Sequence, residues 1–323
     1  MGAIQAQNYN MAKWAVGCRL NGSTDNQIEK AINDGKILRA HLLRPTWHLV
    51  SAADIYWMLE LTAPKIKATL SHRWKQLELT EIVLQKSNRC IEKALETGAH
   101  LTRDDLKEVL TIAKISTNEN RLSHLLMHAE LDQLICSGSL NEKKQTYASL
   151  PLRVPEKKLL PKAESLARLA GIYFKSRGPA TVYDFAWWSG LSVAEAKQGI
   201  EMVKHEFLSQ TIESNTWWFK DPTSTTEMQK ATVHLLPAFD EFIISYKNRT
   251  AMIALQEYAK AVSENGIFRP VILLNGKVAG TWKFMVKKED IDLESDFFEP
   301  PSNSIKKGVE QKAEEFINFL SKE

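Results

Sequence analysis

The feature that most constrains this chain is an order of elements that returns three times: short helices, then two strands joined at a turn. In the first passage Met11, Trp14, Ala15 and Cys18 recur at three- and four-residue spacing, which predicts a helix over Tyr9 to Leu20 with one buried face and Asn8 as its N-cap. Ile28 and Ile32 place a second helix over Asp25 to Asn33, stopped at Gly35. From Ile37 to Val50 the period changes to that of two extended stretches, broken at Arg44 and Pro45.

The second passage predicts a helix over Glu81 to Glu96, another begun by a capping-box pair at Thr102 and Asp105, and a third over Glu119 to Ile135. Gly138 and the turn from Asn141 to Lys144 then offer a hairpin ahead of Tyr147. In the third passage an amphipathic helix over Ala163 to Lys175 is broken at Gly178 and Pro179. A short helix follows over Thr181 to Trp188, and Ser192 caps one more that runs to about Phe207. Leu208 to Ile212 and Thr216 to Phe219 alternate as strands around the turn residues Ser214 and Asn215.

Helices followed by a hairpin make the winged-helix order. The remainder differs: Leu235 to Tyr246, Val271 to Leu274 and Lys277 to Phe284 read as strands, Asn275-Gly276 is a hairpin signal, and Glu310 to Lys322 closes the chain as a helix. The expected fold class is therefore α+β and mostly helical, with tandem winged-helix (helix-turn-helix) modules followed by a small β-barrel-like domain and a C-terminal helix. The expected domains are 1–78 (first winged helix with a connecting helix), 79–155 (second), 156–222 (third) and 223–323 (β-rich, with the terminal helix).

Composition narrows the function classes. The apolar share of 44% and charged share of 25% are those of a globular protein. A net charge of +3 gives no overall cationic excess, so any nucleic-acid surface has to come from local clustering of Lys and Arg. Three widely spaced cysteines, Cys18, Cys90 and Cys136, fit neither a disulfide framework nor a zinc site. No apolar run approaches the ~20 residues of a membrane span, and Met1 to Leu20 lacks the order of a signal peptide. The expectation is a cytoplasmic protein with no membrane partner and no metal.

Five stretches carry a resemblance: IQAQ at Ile4 to Gln7, LLRPTWHLV at Leu42 to Val50, RGPATVYDFAWWSGL at Arg177 to Leu191, LLPAFDEFIISYKNR at Leu235 to Arg249 and NGKVAGTWK at Asn275 to Lys283. In this order they resemble the AlkZ and YcaQ family of winged-helix DNA glycosylases. The resemblance implies tandem winged helices around a concave DNA-binding face and a β-barrel-like domain. Gln5 and Gln7 match the family's catalytic Gln-x-Gln motif, where YcaQ-type relatives carry Gln-x-Asp. It also implies monofunctional excision of N7-alkylated purines by the AlkZ-like branch, which extends to unhooking interstrand crosslinks, with no cofactor. The implied partner is double-stranded DNA containing alkylated bases; the chain is itself expected to be a monomer, nucleoid-associated when bound to DNA.

Two glutamines suffice only because of the substrate. A purine alkylated at N7 is already cationic and departs as a neutral base, so general acid catalysis is not needed and the remaining task is to place a water at the anomeric carbon. An amide carbonyl accepts from such a water without titrating. Residues two apart share a side only in extended chain, so Ile4 to Gln7 should be extended or stand at the very start of the helix that Asn8 caps. No lysine is implied as a Schiff-base nucleophile.

Other residues keep two readings. Arg44 and His48 either contact a phosphate or the flipped nucleotide, or are a turn residue and a hydrogen-bonded sheet residue. Ser214 and Asn215, flanked by Trp217 and Trp218, are either a wing inserted at a lesion or an ordinary exposed hairpin. Arg153, Lys157, Lys158 and Lys162 either line a phosphate track with Arg168, Lys175 and Arg177, or solubilise a linker. Asp240 and Glu241 read as anchors paired with Lys247 or Arg249 rather than as carboxylates supporting charge in the transition state, and Trp187 and Trp188 as core rather than stacking platforms. Family members have a helix ahead of Gln-x-Gln, for which Met1 to Gln5 is too short, so the expectation is either that translation begins further upstream or that the first module is incomplete and exposes the face carrying Trp14. The rival to an enzyme is a non-catalytic winged-helix DNA binder or transcription regulator.

Overall fold

The computed structural model describes residues 1–221, 231–287 and 290–321. Strand β1 (Ala3–Gln5) leads into helix α1 (Tyr9–Gly17), whose first turn is closed by the Asn8 side chain accepting from the Met11 N–H at 3.2 Å. Helix α2 (Asp25–Asn33) follows, then the hairpin of β2 (Ile37–His41) and β3 (Trp47–Ser51), in register from Ile37 against Ser51 to His41 against Trp47. The long helix α3 (Ile55–Gln76) precedes α4 (Glu81–Leu95), β4 (Leu101–Thr102), α5 (Arg103–Ile112), α6 (Arg121–Leu131), β5 (Ile135–Ser137), β6 (Thr146–Ser149) and α7 (Leu150–Arg153). Next come α8 (Lys162–Arg177), β7 (Ala180–Thr181), α9 (Val182–Ser189), α10 (Val193–Val203), β8 (Leu208–Ile212) and β9 (Asn215–Phe219). The chain then forms β10 (Val233–Leu236), α11 (Glu241–Ile244), α12 (Tyr258–Ala261), β11 (Val271–Leu274), β12 (Lys277–Lys287), β13 (Asp290–Phe297) and α13 (Asn303–Ser321).

One topology is written three times. A short strand, two helices and a hairpin follow one another, and the three strands form a sheet with the last strand in the middle: β1-β3-β2, β4-β6-β5 and β7-β9-β8. In the second and third copies the short strand ends in a threonine that opens a helix through a capping box, Thr102 with Asp105 and Thr181 with Asp184. In the first copy the same strand-to-helix junction holds Gln5 and Gln7.

The chain divides into two compact units. The first comprises Met1–Ala3, Lys30–Tyr173 and Ser189–Val203. Its core includes Leu84, Ile91 and Leu95 of α4, Leu106 and Leu110 of α5, Leu125 and Leu126 of α6, and Ile135 of β5. The second comprises Ile4–Glu29, Phe174–Trp188 and Lys204–Glu323. There Leu236, Ile243, Ile253, Val271, Leu273 and Val278 form a core under an antiparallel sheet of order β10-β11-β12-β13.

Several expectations change. The C-terminal sheet is open among the described residues, with β10 and β13 as its edges, where a barrel-like domain was expected. The strand expected over Leu235 to Tyr246 stops at Leu236, because Pro237 has no N–H for a ladder and Asp240 caps a helix instead. The helix expected to reach Ile135 ends at Leu131, since Gln133 takes φ +61°. The hairpin turn falls on Glu213 and Ser214, both at positive φ, rather than on Ser214 and Asn215, so Asn215 begins β9. Trp14 is 5% exposed: Phe316 and Phe319 of α13 cover it, with ring centroids at 5.1 and 5.2 Å. The boundary expected at 222 and the end of the last helix at Lys322 lie outside the described residues.

Candidate active site around Gln5 and Gln7

Gln5 closes β1 and is buried, Ala6 beyond it is fully buried, and Gln7 is exposed in the bend that Asn8 ends by capping α1. Gln5 is therefore extended and Gln7 stands at the entrance of the helix, so neither lies mid-helix. The main-chain N–H of Gln5 donates to Oε1 of Glu241 at 2.8 Å.

Glu241 is 1% exposed, and its other oxygen, Oε2, accepts from Arg177 Nη2 at 2.7 Å, Trp188 Nε1 at 2.9 Å and Ser245 Oγ at 2.7 Å. Arg177 in turn donates from Nε to Ser245 Oγ at 2.8 Å, and its guanidinium lies 4.3 Å from the centroid of the Trp188 ring. A carboxylate in an apolar interior is tolerable only when paired and hydrogen-bonded on both oxygens, which this one is. Both of its oxygens are already committed, so Glu241 is not placed as a general base, and the motif presents amide chemistry. The hydroxyl of Tyr246 donates to the Arg177 carbonyl at 2.7 Å, and burial pushes it up to about 12.

The carboxylates expected to pair with Lys247 or Arg249 do not. Asp240 takes both guanidinium nitrogens of Arg19, at 2.8 and 2.7 Å, while Glu241 takes Arg177. They sit at the start of α11 rather than in a strand, which lets two neighbouring carboxylates each reach a separate arginine. Trp188 is core, whereas Trp187 is 42% exposed and donates from Nε1 to the Ile244 carbonyl at 3.0 Å.

Lys13 is buried and ion-paired to Asp25 at 2.7 Å and Glu29 at 2.6 Å, with Tyr9 donating to the same glutamate. Ser214 and Asn215 lie in an exposed hairpin tip. These, like Gln5 and Gln7, belong to the second unit.

The remaining candidates belong to the first unit. His48 is fully buried in β3, with Nδ1 at 2.9 Å from the Thr46 carbonyl, and Arg44 is half-buried in the β2–β3 turn. Arg153 is spent on structure: Nη2 donates to the carbonyls of Ile32 and Asn33 at 2.7 and 3.2 Å, at the C-terminal end of α2. Lys162 pairs with Glu195 at 2.8 Å and holds that carboxyl down to about 2, while the Lys157 ammonium stands 5.5 Å over the Tyr56 ring and Lys158 is exposed.

The Gln5–Glu241–Arg177–Trp188 cluster is what sequence reading missed. Its signal was present, since Glu241 and its donors Arg177 and Trp188 lie in two of the five family-like stretches, but nothing local tells a buried carboxylate which arginine it meets. Among the described residues no group of three or more His, Cys, Asp or Glu side chains is placed to hold a metal ion, and no helix is long and apolar enough to cross a membrane.

A comparison with curated protein sequences finds no match. Among solved structures the chain is similar to the DNA glycosylase AlkZ of Streptomyces sahachiroi, at 18% identity and a TM-score of 0.78, over 99% of this chain and 88% of that one. At that identity the likeness speaks for the fold. The family model of AlkZ-like DNA glycosylases matches residues 1–319, and with nearly the whole sequence inside that match the chain belongs to the AlkZ-like DNA glycosylase family.

Proposed function

We propose that this protein hydrolyses the N-glycosidic bond of N7-alkylated, cationic purines in double-stranded DNA, with Gln5 and Gln7 orienting the attacking water. The observation that carries the reading is the junction itself: Gln5 ends a strand with its main chain tied to a buried carboxylate, and Gln7 stands two residues on, just ahead of the Asn8 cap. The C1′–N9 pair of electrons leaves with the base and cancels its charge, water oxygen bonds C1′, and its proton passes to solvent. The side-chain amide oxygens accept from that water and turn the negative end of their dipoles toward the developing cationic sugar.

In this reading the three strand–helix–helix–hairpin copies are winged helices, and Arg44, Ser214, Asn215, Lys157, Lys158 and Lys162 face DNA, while the buried His48 keeps to its sheet. The chemistry is monofunctional: Lys13, the buried lysine nearest the motif in sequence, is engaged by two carboxylates rather than poised as an amine nucleophile. Unhooking of interstrand crosslinks is the same chemistry applied to a bulkier leaving base.

The test is to incubate the protein with duplex DNA holding N7-methylguanine and assay free base. Release that is lost in Gln5→Ala and Gln7→Ala while DNA binding persists supports the assignment. Sequence-specific protection of undamaged DNA with no base released would make the protein a regulator instead.

A further inference from the structure

A cleft of about 490 Å³ opens beside the β8–β9 hairpin, and neither Gln5 nor Gln7 lines it. Its walls come from three stretches of the second unit: Asn215 and Trp217 on the hairpin, Tyr183 in the first turn of α9, and a stretch after α11 that begins with Lys247 and Arg249 and runs on through apolar side chains to Tyr258. The volume is in the range of clefts that hold small organic ligands, roughly 300–1,000 Å³.

Among the described residues neither cation is ion-paired, in contrast to Arg19 and Arg177 of the same unit. Lys247 is exposed. Arg249 is held rigidly: Nε donates to the Ile243 carbonyl at 2.9 Å, Nη1 reaches the Tyr258 hydroxyl at 3.5 Å, Trp187 and Phe268 flank the guanidinium with centroids at 5.4 and 5.1 Å, and the buried Nη2 has no hydrogen-bond partner among the described residues. A fixed guanidinium with an unspent donor is a preorganised anion receptor. The carboxylate on this wall, Asp184, is buried and committed, taking the Thr181 N–H and hydroxyl on one oxygen and the Lys247 N–H on the other. Trp217 and Tyr183 add aromatic faces that are sequence-tolerant partners for a base.

We infer that this cleft is a nucleotide subsite, seating a DNA phosphate between Lys247 and Arg249 with the adjoining unstacked base against Trp217 and Tyr183. The inference rests on the reading of the protein as an enzyme of DNA, and it adds a second point of attachment away from the glutamines.

The test uses the full chain, 2′-deoxyguanosine 5′-monophosphate and an undamaged, labelled single-stranded octanucleotide. Tryptophan emission should change saturably with the mononucleotide, and Trp217→Leu should remove most of that change. The slope of log affinity against log salt for the octanucleotide should fall by about 0.7 in Lys247→Gln, the share of a single neutralised phosphate on a single strand. Arg249→Gln should do the same, and the exposed Lys247 keeps the test decisive if that variant does not fold. An unaltered slope in Lys247→Gln, or no response to the mononucleotide, overturns the subsite. Because no lesion is involved, a wild-type protein that releases no base but shows these shifts would lose its proposed chemistry and keep this cleft.

Discussion

The main-chain N–H of Gln5 donates to Oε1 of Glu241 across 2.8 Å, although 236 residues separate them in the chain. That bond joins the strand end carrying the glutamine motif to a fully buried ion pair, Glu241 with Arg177, whose exposures are 1% and 4%. Position of the motif and stability of the unit thus depend on one carboxylate.

Glu241→Ala leaves Arg177 buried without its counter-ion and Gln5 without its acceptor, so it should cost about 3–5 kcal/mol. Replacing the pair together, Arg177→Met with Glu241→Leu, should cost less than Glu241→Ala alone, because no orphaned charge remains. Urea unfolding of the variants measures both. A double variant that is as unstable as the sum of its single changes would show the pair to be independent groups.

Helix α13 owes its place to aromatic packing. Trp14 donates from Nε1 to the Leu235 carbonyl at 2.8 Å, and Phe316 meets both Trp14 and Trp282 edge-on, at 5.1 and 5.0 Å. Phe316→Ala should therefore destabilise by about 3–5 kcal/mol, the usual range for a buried aromatic removed from a core. A chemical-denaturation midpoint unchanged from wild type would mean that this packing is dispensable.

How much of this was legible in the sequence depends on the range of the interactions. Asn8, Thr102 with Asp105, and Ser192 are where the caps stand, because a cap is decided within four residues. Asn275-Gly276 turns as its dipeptide dictates, with φ +51° and +79°. Strand β13 was not legible: the alternation in Asp290–Phe297 sets Ile291 and Leu293 among acids, and its pairing with β12 supplies what its own composition does not. The covering of Trp14 by a helix some 300 residues on, and the choice of Arg19 for Asp240, are tertiary decisions with no local trace. For the glutamine motif, spacing required an extended segment or a helix start; the chain divides the two, Gln5 in the strand and Gln7 at the cap.

Gly190 is a glycine by necessity. It sits at φ +73°, and a Cβ there would stand 2.4 Å from the Leu43 carbonyl oxygen. Gly190→Ala combines a left-handed conformation, costing about 1–2 kcal/mol, with a backbone clash that forces the β2–β3 turn and its Arg44 to move. Thermal unfolding should show a clear loss, and base release should fall with it if Arg44 contributes to DNA binding. A Gly190→Ala protein as stable as wild type would show that the turn yields without cost.

The protein should also lose stability at alkaline pH for a reason visible in its core. Burial pushes the thiols of Cys18 and Cys136, and the hydroxyl of Tyr147, up to about 12 from 9 and 10. Tyr246 is raised to the same level. Each group ionises earlier in the unfolded chain than in the folded one, so its contribution is whole below pH 9 and is lost as pH climbs toward 12. Cys136 is the cleanest probe, being fully buried with an aliphatic-sized side chain. Cys136→Ala removes one titrating group, so between pH 9 and 12 its stability should fall less steeply than that of the wild type, whatever its level at pH 7. Parallel stability curves for the two proteins across that interval would mean that the thiol is ionised as readily folded as unfolded, and that it does not contribute to alkaline lability.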